Sequence, residues 1–110
     1  MKLLAFLIVL AGASVALAAA RADTVEVSQK GRKFVPDSVS IHTGDTVRIR
    51  NDDEFLHHLY VNAPGFSFDS EEQPPGHTVD IQFTKDGDFK VMCRIHPKML
   101  LTVHVSPHIQ

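Results

Sequence analysis

Cysteine and tryptophan are scarce in this chain, which has one Cys, no Trp and one Tyr among 110 residues. A single thiol cannot form an internal disulfide, a Cys-x-x-Cys redox pair or an iron–sulfur cluster, so any metal site must mix ligand types. Basic runs are missing too. With 11 Lys+Arg against 13 Asp+Glu, the formal net charge is -2. No cluster of cations offers the patch that a phosphate backbone needs, which argues against nucleic acid as the main partner. The length leaves room for one domain and no second core, which excludes a multidomain enzyme. There is no internal repeat and no low-complexity tract.

The one long hydrophobic run is at the start. Lys2, the apolar stretch from Leu3 to Ala11 and the small residues through Ala22 follow the order of a secretory signal. Residues 1–22 are therefore expected to be an export signal, cleaved after Ala18, Ala20 or Ala22, with residues 23–110 as the mature domain. The competing reading is an anchor, since Leu3 to Ala20 approaches the roughly 20 apolar residues that cross a bilayer. Export predicts a periplasmic protein with no transmembrane segment after cleavage, or a secreted or membrane-tethered one if the signal is retained. Losing Lys2 and Arg21 leaves nine basic residues against 13 acidic ones, which favours a partner with a basic or apolar docking face. A lone Cys in an oxidising compartment is expected to be buried, metal-bound or reactive.

Beyond the signal the hydrophobic pattern has period two. Val25/Val27, Val39/Ile41, Val47/Ile49, Val79/Ile81/Phe83, Phe89/Val91/Cys93 and Leu101/Val103/Val105 each fall on one face of a short strand. Turn-forming groups separate them, including Thr43-Gly44-Asp45, Pro64-Gly65, Pro74-Pro75-Gly76 and Lys85-Asp86-Gly87-Asp88. The pattern predicts an all-β protein, a small antiparallel Greek-key sandwich of about seven to eight strands. Asn62 to His77 shows no clear alternation and is expected to be irregular or to hold one short distorted element.

Chemistry concentrates in Cys93-Arg94-Ile95-His96-Pro97-Lys98-Met99, where a thiol, an imidazole and a thioether recur every third residue between two strands. Taken singly, each has an ordinary explanation: a buried Cys or Met is core filler, and a His before Pro is a turn residue. Together they suit copper, which alternates between Cu(I) and Cu(II), better than the oxygen-seeking calcium, magnesium or manganese. A second imidazole is available upstream from His57 or His58, which follow the turn-like Asn51-Asp52-Asp53-Glu54. His42, His77, His104 and His108 adjoin turns, alternate outward or lie in the tail, and none is expected to bind metal.

These residues resemble the cupredoxins, the small blue-copper electron carriers, and within them the amicyanin-like group. The likeness is strongest from Gly87 to Met99, with two residues between Cys93 and His96, two between His96 and Met99, and Pro97 after the His. Phe34-Val35-Pro36, Gly44-Asp45-Thr46-Val47 and the interval from Asn51 to His57 fit as well, and they favour His57 over His58. The resemblance implies one copper ion held by His57, Cys93 and His96, with Met99 as a longer axial ligand. It also implies that Asn51 bonds the residue after the Cys and that the His58 amide donates to the Cys93 sulfur. Two positions depart from the family pattern: His58 where Asn is usual, and Arg94 where a small hydroxyl residue is usual.

The function implied is a one-electron shuttle between redox proteins, not an enzyme, and a monomer is expected. Nothing resembles a nucleophile with its base, an acid/base carboxylate pair or a phosphate-cradling loop. Electrons would pass at the His96 edge beside Pro97, with Pro64 as a second candidate flank. Lys98 and Arg94, or the acidic Asp52-Asp53-Glu54, would bias docking. The rival readings are copper storage, delivery or resistance, and a metal-free interaction module. Methionine-rich trafficking has little support, with only Met92 and Met99 in the mature part.

Overall fold

The computed structural model describes Gly12 and residues 21–108. The expected export signal therefore lies almost wholly outside the described residues. The described part is nine strands: β1 (Thr24–Gln29), β2 (Phe34–Val35), β3 (Ser38–His42), β4 (Thr46–Asn51), β5 (Leu59–Ala63), β6 (Phe66–Asp69), β7 (Thr78–Gln82), β8 (Gly87–Cys93) and β9 (Leu100–Ser106). They form two sheets, ordered β2-β1-β4-β7 and β3-β9-β8-β5-β6. The all-β sandwich matches the period-two reading. The sheets are not wholly antiparallel, because β1 runs parallel to β4 and β3 parallel to β9. Nor does the strand count stop at eight. The two-residue β2 is too short to show a period.

The alternating residues do what their spacing dictates. Val27, Ile41, Val47, Ile49, Leu59, Val61, Ile81, Phe83, Val91, Leu101 and Val103 are all buried between the sheets, each contributing about 1.5–3 kcal/mol of transfer free energy. Phe66, Phe83 and Phe89 close one end, with ring centroids 5.2–5.5 Å apart. The Asn62 to His77 stretch holds the one short element that the sequence reading allowed for, and that element is a regular strand. β5 continues to Ala63, turns at Pro64-Gly65 with Gly65 at φ +74, and returns as β6 with Ala63 opposite Phe66 and Tyr60 opposite Asp69. Phe66 and Phe68 carry a period of two that is only half-buried at the sheet edge, so it stands out weakly from its neighbours.

Topology gathers four loops at the opposite end. β5 and β8 pair antiparallel with Leu59 facing Cys93, so the loop entering β5 meets the loop leaving β8. The parallel register of Gln29 with Asn51 brings the β1–β2 loop to the same place, and an isolated bridge between His57 and Gln73 adds the β6–β7 loop. Pro64 is excluded from this end. It lies at the far tip of β5, where its carbonyl accepts a bond from Lys85 Nζ at 3.2 Å, just before β8 begins.

Asp45 anchors that far end. Its buried carboxylate accepts the Asp23 amide at 2.9 Å and the His42 amide at 2.8 Å, tying the start of β1 to the β3–β4 turn. Burial alone would push the carboxyl up, but the two amides and the nearby His108 and His42 outweigh it and hold it below the usual range. This stabilisation is complete above the unfolded carboxylate pKa of about 3.9 and is lost as pH falls through the lower folded value. Asp45→Ala is expected to destabilise the protein by about 1–3 kcal/mol at pH 7. Urea unfolding of both proteins should show that gap narrowing as the pH falls below about 3.9.

Candidate metal centre

His57 sits in the β4–β5 loop, fixed by its own backbone and by its neighbours' side chains. Its amide donates to the Gln73 carbonyl at 3.0 Å and its carbonyl accepts from the Gln73 amide at 2.7 Å. The Asn51 side chain folds the loop back on itself, donating through Nδ2 to the carbonyls of Phe55 at 2.8 Å and Gln73 at 2.9 Å while its Oδ1 accepts the Asp53 amide at 2.9 Å. The bond from Asn51 to the residue after the Cys, implied by the family likeness, is therefore not made. Both Nδ2 protons are already committed, and the Arg94 amide donates to the His58 carbonyl at 2.9 Å instead.

The His57 ring is fully buried, and its Nε2 lies 2.9 Å from Asp53 Oδ2. An ionised carboxylate only accepts, so this contact places the ring proton on Nε2 and leaves the Nδ1 lone pair facing inward. Asp53 is itself buried and accepts the amides of Gly31 at 2.8 Å and Arg32 at 2.9 Å. Burial would push its carboxyl up, but these amides and the His57 ring hold it below the ordinary carboxylate range. Asp53 is thus not part of a surface acidic group. Asp52 is exposed but engaged, accepting from Ser28 Oγ at 2.6 Å and Arg50 Nε at 2.9 Å.

Cys93 ends β8 and is buried, and its sulfur receives the His58 amide at 3.4 Å, the bond the family likeness implied. His96 follows in a tight turn closed by the Met99 amide on the His96 carbonyl at 3.0 Å, with Pro97 pre-setting the second position. Burial, then the His57 ring and the Arg32 guanidinium, push the His96 imidazole down toward its neutral form. The same turn carries Met99 back into the core, where it is 2% exposed. His58 points away from these groups and engages Asp69. Arg94 also reaches Asp69, at 3.2 Å, and lies 4.2 Å over the Tyr60 ring. His104 pairs with Asp88 at 2.7 Å, and His42 stacks on His108.

Three donor atoms converge as a result. Cys93 Sγ is 3.6 Å from His57 Nδ1 and 3.6 Å from His96 Nδ1, and the two nitrogens are 3.2 Å apart. Lone pairs at this spacing repel unless a proton or a cation lies among them. The centre of the triangle is about 2.0 Å from each atom, the reach of a metal–nitrogen bond and slightly inside that of a metal–sulfur bond. Thiolate with two neutral imidazoles is a donor set for copper or zinc, not for a hard oxygen-seeking cation. Among the described residues, His57, Cys93 and His96 are the only group of three or more His, Cys, Asp and Glu side chains spaced to share an ion.

The chain matches the cupredoxin-like domain family over residues 3–103. It belongs to that family. It is 38% identical over 68 residues to the methylamine utilization protein MauL of Methylophilus methylotrophus, covering 59% of this chain and 39% of that protein. It is 32% identical over 73 residues to the chloroplastic plastocyanin of Chlamydomonas reinhardtii, covering 58% and 50%. The chain thus spans half or less of the length of these curated relatives. Among solved structures, a copper-containing nitrite reductase from Thermus scotoductus superposes with a TM-score of 0.70 at 28% identity, over 78% of this chain and 23% of that one. A reduced amicyanin variant gives a TM-score of 0.69 at 21% identity, over 76% and 82%.

Reading the sequence for ligands alone missed Asp53 and Gln73, which do not bind but orient. The available signal was an acidic residue four positions before His57 in a turn that has to close over it. Asp53→Asn, which turns an amide NH2 toward at least one of the Gly31, Arg32 and His57 N–H donors, is expected to weaken metal affinity by about 10–100-fold and to cost about 1–3 kcal/mol of stability. Competition of Cu(I) or Co(II) binding against a chelator of known affinity measures this directly.

Proposed function

We propose that the protein is an exported one-electron carrier with a single copper ion held by His57, Cys93, His96 and, more weakly, Met99. Residues 1–22 are read as the removed signal, residues 23–110 as the working domain and the periplasm as its compartment. That division is supported by β1, the first described strand, starting at Thr24. The observation that carries the functional reading is the convergence of one sulfur and two imidazole nitrogens within 4.8 Å of one another, in a chain of the cupredoxin-like family.

Copper supplies a one-electron Cu(I)/Cu(II) couple, and the protein's part is to keep the donors still while the charge changes. Asp53 and the Gln73 backbone bridge fix the His57 ring. The His58 amide fixes the Cys93 sulfur. The β-turn closed by Met99 fixes His96. Burial of His57 and Cys93 excludes water and so limits the solvent reorganisation that would slow transfer. His96 is the donor residue that reaches the surface, its ring edge-on to Phe55 at 6.1 Å between centroids, which makes it the exit for the electron.

This reading makes the chain a monomeric carrier for redox proteins, not an enzyme. The reductase it resembles is a much longer chain, and the likeness covers less than a quarter of it. Copper storage or delivery fits the site less well, because a cargo ion must leave and three of the four donor residues, His57, Cys93 and Met99, are buried.

One equivalent of Cu(II) added to residues 23–110 is expected to produce an intense thiolate-to-copper absorption band and narrow copper hyperfine splitting. Cys93→Ala should abolish both, while Met99→Leu should retain the band and shift the reduction potential. A colourless product or an ordinary tetragonal copper spectrum overturns the proposal.

A further inference from the structure

The surface around His96 combines an apolar centre with a one-sided charge. Ile95 is 46% exposed, Phe55 is 38% exposed, and Pro97 completes the patch. A shallow depression beside His96 is lined by Ile95, Pro97 and Met99 together with three cations: Arg32 and Lys33 from the β1–β2 loop and Lys98 from the ligand turn. Arg32 lies with its guanidinium carbon 4.0 Å from the Phe55 ring centroid, which keeps that charge at the edge of the patch. All three cations are exposed. Among the described residues, none of them has a carboxylate within 4.0 Å, whereas Arg48, Arg50 and Arg94 are each paired.

The carboxylates of this end do not offset them in the same way. Asp53 is buried on His57 and two amides, Asp52 is held by Arg50 and Ser28, and Asp69 is held by His58 and Arg94. Glu71 and Glu72 lie on a neighbouring loop, exposed Glu54 directly precedes Phe55 and exposed Asp37 lies beside the start of β9, and none of the four lines the depression. The chain is acidic as a whole, but exposed charges farther away than about 8–10 Å are largely screened at physiological salt. The local cations, not the net charge, therefore set the field that a docking partner meets.

We propose that this face docks a redox protein whose contact patch is apolar at its centre and rimmed by carboxylates. The proposal rests on the electron-carrier reading and specifies its partner. It reverses the expectation drawn from net charge, which pointed to a basic or apolar partner.

The test uses the copper-loaded protein, reduced to Cu(I) and mixed with ferricyanide. One electron passes from Cu(I) to Fe(III), giving Cu(II) and ferrocyanide, with no atom transferred. The rate is expected to fall several-fold as ionic strength rises from about 10 to about 200 mM, as for attraction between opposite charges. Lys33→Glu/Lys98→Glu should lower the low-salt rate by about tenfold and reverse the salt trend while leaving the visible spectrum unchanged. Lys85→Glu/Lys90→Glu, an equal change of charge away from the His96 face, should leave the salt trend as in the parent. The cationic oxidant tris(phenanthroline)cobalt(III) should show the opposite salt dependence. At protein scale, a c-type cytochrome with carboxylates around its haem edge should exchange electrons faster than one with lysines there. A ferricyanide rate that rises with salt, or one indifferent to charge reversal at Lys33 and Lys98, overturns the docking proposal and leaves the carrier reading standing. Absence of the blue spectrum, recorded before any kinetics, overturns both.

Discussion

The centre depends on one buried carboxylate. Asp53 faces three ways: to the amides of Gly31 and Arg32, to the ring of His57, and through its own amide to Asn51. A carboxylate in this position is costly unless its acceptor sites are filled, and here they are filled by groups whose positions matter for binding. The β1–β2 loop cannot move without exposing Asp53, and His57 cannot rotate without losing it. The same residue thus sets the tautomer of a donor, the position of Arg32 at the rim and the closure of the β4–β5 loop. The chemistry at the donors and the charge pattern outside them share a single mechanical origin.

Rigidity is the second theme. The donors come from two loops whose strands are adjacent in one sheet, with Leu59 facing Cys93, so the distance between His57 and Cys93 follows from a β-ladder and not from a flexible linker. A ladder in a packed sandwich resists the expansion and contraction that a change in metal charge would otherwise drive. His96 is held differently, by a turn that Pro97 pre-sets and the Met99 amide closes. Cys93, His96 and Met99 fall within seven residues, so this turn has little slack to absorb distortion.

Much of this was legible in the sequence for identifiable reasons. The inner faces of β4, β7 and β9 were readable because burial on one side and water on the other impose a period of two. The ligand turn was readable because thiol, imidazole and thioether at intervals of three are an uncommon combination. The parallel pairings β1–β4 and β3–β9 were not readable, since pairing partners leave no mark on a strand's own alternation. Hairpin β5–β6 was obscured because its aromatic residues are only half-buried. Asp53 was misread because an acidic residue in an acidic turn looks solvated until the amides and imidazole that surround it are known. Net charge misled about the partner for a related reason: it counts carboxylates already spent on internal bonds.

The place of β9 has a consequence for how the molecule comes into being. It lies between β3 and β8 in the five-stranded sheet, yet among the described strands it is the last in chain order and so is synthesised after all the others. Until residues 100–106 emerge, β3 has no neighbour in its sheet, and β8 can pair only with β5. Cys93 and both imidazoles have by then been made several residues earlier. A chain halted just before Met99 would therefore carry the thiol and both imidazoles but lack the strand that brings their sheet together. Assembly of the centre is thus tied to the arrival of β9, and a nascent chain that stops short of it has little chance to trap metal in an unfinished site.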